Sequence, residues 1–164
     1  MNGIAVIKAA LDSTHAMLGM YLADFTDVEI LERPVSGANH IAWQLGHLIT
    51  SEIAMVRSQH PDTPYPDLPE GFRDNHSKEA ATSDDPKQFH SVKEYVELYT
   101  KVHEATLAYI DGLTEEALDQ PTKGNMAGFA PKLGNLLLLM SNHILMHAGQ
   151  FTTVRRKLGK PVIF

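Results

Sequence analysis

Nine histidines and no cysteine stand among the 164 residues of the chain. Without thiols there can be no disulfide framework, thiolate metal site or cysteine nucleophile. Any metal chemistry must therefore use imidazole and carboxylate. His143 and His147 are the most suggestive pair. Helical side chains at i and i+4 share a face about one turn apart, a spacing at which two imidazoles can hold one divalent ion. Buried without an ion, each ring would need its own partner, because an unpaired buried polar group costs ~1–3 kcal/mol. His15 and His103 also fall on apolar stripes. A lone histidine there is most often a satisfied core residue; orienting a ligand or moving a proton fits it better than ligation.

Four helical segments must position these residues. In the first, Ile4, Ile7, Leu11, Leu18, Leu22 and Phe25 follow the 3.6-residue period, and the pattern stops near Thr26-Asp27. The second follows Ser36-Gly37-Ala38, with Asn39 as its expected N-cap, and runs to about Gln59. The third opens after Ser91 and closes at Asp111-Gly112. The fourth begins near Pro131 and ends at Leu158, before Gly159 and Pro161. Its apolar sector, from Leu133, Leu136 and Leu137 to Val154 and Leu158, contains His147 and has His143 at its edge beside Gln150. The second segment is apolar around most of its circumference, with a narrow stripe of His40, Gln44, His47, Ser51 and Ser58. Periodicity prefers to face that stripe to solvent; the competing reading lines a polar cavity with it.

A polar connection of about thirty residues separates the second and third segments and contains Pro61, Pro64, Pro66, Pro69 and Pro86. That length lets the two helices run parallel or lays a cover over the bundle. No strand alternation or internal repeat is visible. The expected fold is all-α: one domain spanning 1–164, a four-helix bundle with a long crossover between helices 2 and 3. A net charge of −6 argues against a nucleic-acid partner. No apolar run approaches the ~20 residues of a membrane span. The start of the chain lacks a secretory pattern, so a cytoplasmic location is expected.

The segment Asn39-His40-Ile41-Ala42-Trp43-Gln44-Leu45-Gly46-His47-Leu48 resembles the second-helix motif of the DinB-like superfamily, an aromatic followed four residues later by histidine. The segment His143-Ile144-Leu145-Met146-His147-Ala148-Gly149-Gln150, with Arg155 and the closing Leu158-Gly159-Lys160-Pro161, resembles that superfamily's last helix. The resemblance implies a metal-binding four-helix bundle with His47, His143 and His147 as ligands to a divalent ion, usually zinc or nickel. It thereby turns the His47 stripe towards the cavity. Ala148 stands where an arginine is common, which removes one anion-binding group. His15, His103 and Gln150 are candidates for supporting the ligands.

Three neutral imidazoles leave a position open, as in catalytic zinc sites. A cation there would favour a deprotonated water or an exogenous thiolate. Since the superfamily includes metal-dependent hydrolases and bacillithiol- or mycothiol-dependent enzymes, the resemblance implies hydrolysis of a small molecule or thiol S-transfer, with a low-molecular-weight thiol as possible cofactor. The alternative is a non-catalytic bundle in which the ion fixes helix packing. Leu138, Leu139, Leu145 and Met146 lie outside the core sector of the fourth helix and, with the apolar second helix, lead us to expect a homodimer.

Overall fold

The computed structural model describes residues 1–163. Four long helices form the bundle: α1 (Gly3–Leu22), α2 (Ile41–Gln59), α4 (Val92–Asp111) and α5 (Leu133–Lys157), with a single turn, α3 (Phe72–Asn75), inside the crossover. Short 3-10 turns punctuate the links, and among the described residues the only β pairing is an isolated Pro121–Lys132 bridge.

The core shows how the chain is threaded. At one end Val56 of α2 and Ile110 of α4 meet Ile7 and Leu11 of α1 and Leu133, Leu137 and Met140 of α5. At the other, Ile41 and Leu45 meet Tyr95 and Tyr99, Leu18 and Leu22, and Phe151 and Val154. Thus α2 and α4 run parallel, α1 and α5 run parallel, and the two pairs oppose each other. The parallel α2–α4 pair requires the long crossover, whose Tyr65, Leu68, Phe72 and Phe89 pack on the core. Phe72, 1% exposed, is the deepest of these.

Local chemistry fixes the helix ends. Ser91 and Glu94 form a capping box: the Ser91 hydroxyl accepts from Glu94 N at 3.2 Å, and Ser91 N donates to Glu94 Oε2 at 2.8 Å. The cap of α2 is His40 and not Asn39; its Nδ1 accepts from Trp43 N at 3.0 Å. The helix starts one residue later than expected, and the Asn39 carbonyl accepts the Gln44 side-chain amide. Helix α1 stops at Leu22, short of Phe25, although Phe25 remains buried. Helix α5 begins at Leu133, two residues beyond the expected Pro131 start. It ends in a Schellman turn: Gly159 has φ +69°, and Lys160 N donates to Arg155 O at 2.9 Å.

Candidate metal centre

Residues 41–46, at the start of α2, are all buried under two covers. One face meets the bundle and another meets the crossover, where Trp43 Nε1 donates to Ser77 O at 2.9 Å and His40 Nε2 donates to Ser83 O at 3.2 Å. An apolar circumference is therefore what this helix needs. The polar stripe consequently splits: His40 and Gln44 are buried, His47 and Ser51 half-buried, and Ser58 exposed.

From α2, His47 faces His143 and His147 on α5. Their ring centroids lie 5.1 and 5.4 Å from that of His47, and one ligand nitrogen from each ring falls within 4.8 Å of the others. The two Nε2 atoms of His143 and His147 are 3.1 Å apart. Tetrahedral zinc–imidazole bonds of ~2.0–2.1 Å would set two nitrogens about 3.3 Å apart, so this pair has the separation of two ligands on one ion.

A chain of hydrogen bonds sets the His147 tautomer. The Gln44 amide nitrogen donates to Asn39 O at 2.8 Å, which turns Gln44 Oε1 towards His147 Nδ1, 2.7 Å away. An amide oxygen only accepts, so Nδ1 carries the proton and Nε2 keeps a free lone pair facing His143. Burial drives the His147 pKa down to about 3, aided by His143 and His47. It drives His143 down to about 4, aided by His47. His47 is lowered by burial and then by the Lys78 charge. All three rings are therefore neutral near pH 7, the state that binds metals.

Trp43 stacks on His47 with centroids 4.9 Å apart and planes 7° from parallel. Behind α2, the His76 ring occupies the space over Gly46, where a Cβ would lie 2.0 Å from His76 Cδ2. His76 Nδ1 donates to Phe72 O at 2.6 Å, and its Nε2 accepts from the Tyr95 hydroxyl at 2.7 Å. Gly46 thus lets the crossover approach the helix at the residue preceding His47.

The remaining candidate residues lie elsewhere. His103 bonds Asp12 at 2.9 Å and stacks on His15 with centroids 4.3 Å apart, forming a separate group between α1 and α4. Gln150 is exposed on α5. The contact that orients a triad ring comes from Gln44, which the sequence placed on the right stripe without a role. Glu52, off the His47 stripe, is fully buried against Thr106 of α4.

A search of curated proteins finds no match. Among solved structures, a conserved protein from Enterococcus faecalis superposes with TM-score 0.74 at 20% identity, covering 98% of this chain and 99% of that one. YfiT from Bacillus subtilis, described as a probable metal-dependent hydrolase with an unusual four-helix bundle topology, superposes with TM-score 0.68 at 19% identity, covering 96% and 89%. At these identities the likeness establishes the shared fold. The sequence model of the DinB superfamily matches residues 10–151, a span that takes in both histidine helices and the crossover, and the chain belongs to that superfamily.

Proposed function

We propose that the chain is a divalent-metal-dependent enzyme acting on a small molecule, by hydrolysis or thiol S-transfer, with His47, His143 and His147 as the metal ligands. One observation carries this reading: three neutral imidazoles converge, and Gln44 holds one of them in the ligating tautomer. With zinc or nickel bound, three protein donors and a remaining position would stabilise a deprotonated water or thiol. The chain's own groups do the rest. Gln44 orients His147, and Trp43 covers one face of His47. Lys78 lies close enough for its charge to act on His47, and it would attract an anionic substrate or thiolate in place of the arginine absent at Ala148. His47 and His143 are only half-buried, which supports access from solvent. The second reading, an ion that only fastens α2 to α5, draws support from the position of the triad across that seam.

Residues 1–164 act as one domain in this proposal, and the protein is a cytoplasmic homodimer associating through α5. Leu138, Leu145 and Met146 remain 39%, 42% and 54% exposed there, whereas α2 is covered and offers little apolar surface.

Cobalt substitution separates the readings. For S-transfer, adding a small thiol to the cobalt protein gives a sulfur-to-metal charge-transfer band that strengthens as pH rises towards the thiol's pKa. A spectrum that ignores thiols but shifts with hydroxide and acetate favours hydrolysis. A spectrum that none of these shifts refutes the open site.

A further inference from the structure

A second polar cluster lies where α1, α2 and α4 meet. Glu52, Tyr99 and His103 are 2%, 2% and 6% exposed. Three of their atoms, Glu52 Oε2, the Tyr99 hydroxyl and His103 Nδ1, are buried without a hydrogen-bond partner among the described residues. Tyr99, His103 and Thr106 follow i, i+4, i+7 spacing and so share one face of α4. Glu52 meets that face from α2, where its Oε1 accepts from the Thr106 hydroxyl at 2.6 Å. That hydroxyl in turn lies 2.9 Å from the Tyr65 hydroxyl. The Glu52 carboxylate feels both His103 and Tyr99, and the Tyr99 hydroxyl lies beside it without completing a bond. Glu52 thus meets the α4 face that carries Tyr99 and His103, and the three unpartnered atoms are buried along that seam.

We propose that Glu52 Oε2, His103 Nδ1 and the Tyr99 oxygen form a second, internal site for a divalent cation, independent of the histidine triad. The tautomer of His103 supports it. A carboxylate accepts and does not donate, so the 2.9 Å contact between His103 Nε2 and Asp12 Oδ1 is an N–H donated to Asp12. In the neutral ring, the form that binds metals, this leaves Nδ1 as a buried lone pair. A carboxylate on one ring nitrogen with the other nitrogen free is the arrangement that orients metal-ligating histidines. Stacking on His15, at 5° between planes, further restrains the ring. Charge also supports it: among the described residues no lysine or arginine acts on Glu52, which leaves its carboxylate without a fixed cation. Without an ion, burial raises the Glu52 pKa and favours the neutral acid. An ion satisfies all three unpartnered atoms, and the mixed oxygen and nitrogen donors suit zinc or manganese.

Metal-free protein titrated with Zn2+ alone, and separately with Mn2+ alone, tests the proposal by ions retained after gel filtration. Wild type should hold two ions per chain in at least one titration, Glu52→Gln one, and His143→Ala one. Glu52→Gln keeps the shape and the Oε1 acceptor for Thr106, and circular dichroism checks that it folds. One ion per chain in wild type, lost in His143→Ala and kept in Glu52→Gln, overturns the proposal and leaves the triad standing. One ion lost only in Glu52→Gln supports this site and refutes the triad. Should Glu52→Gln not fold, anomalous scattering from wild-type crystals soaked in either ion decides: a peak bonded to Glu52 and His103 supports the site, and ordinary water density there overturns it.

Discussion

Gln44 connects the backbone of the α2 N-terminus to the chemistry of α5, since a single amide is fixed by Asn39 O and itself fixes His147. Gln44→Leu removes the acceptor and frees the His147 tautomer. We expect metal affinity to fall about 10–100-fold, measured by competition with a chromophoric chelator, while the fold persists. Buried imidazoles also govern acid stability. Burial lowers the pKa of His76 to about 4, and burial followed by the charge of His103 lowers that of His15 to about 4. The unfolded chain takes up these protons near pH 6.5 and the folded one resists until about 4. Their stabilisation is therefore complete above pH 6.5 and declines as pH falls through that window. The urea midpoint of metal-free protein should drop between pH 7 and pH 5; a constant midpoint would contradict these assignments.

Among the elements, the junction of α2 with the crossover is the most demanding. Gly46→Ala drives a Cβ into the His76 ring, with three ring atoms within 2.3 Å, and the ring is tied at both nitrogens. Overpacking of this kind costs ~1–3 kcal/mol. His76→Ala opens the space, so the double variant should lose less than the sum of the two single losses in a denaturation cycle. Additivity would show that the contact is not the cause. At the other end of α5, Arg155 is 3% exposed and donates to both Asp24 oxygens, to Tyr21 O and to Pro161 O. Truncating it to alanine should lower stability by about 1.5–3 kcal/mol, as for other charge-assisted hydrogen bonds, without changing metal content.

At the scale of the molecule, the helix count, the crossover and the inward turn of His147 were legible because each rests on periodicity or chain length. His47 was legible only through the family motif. Periodicity assigns its stripe to solvent, and it does so because the crossover buries the faces that a bare helix would expose. Gln44, Gly46 and Glu52 were visible as residues, but their partners Asn39, His76 and Thr106 come from tertiary packing, which spacing does not encode. The exposed apolar residues of α5 carry the dimer expectation. Light scattering at tens of micromolar should give twice the chain mass, and Leu145→Glu should halve it; a wild-type monomer would exclude the dimer.

The central claim is the three-histidine centre. Its most direct measurement is anomalous scattering across the metal edges, on crystals of protein purified without chelator. A peak about 2.0–2.1 Å from a ring nitrogen of each of His47, His143 and His147, with a non-protein ligand at the remaining position, is the expected result. No peak among these rings, or a fourth protein side chain closing the site, would contradict it.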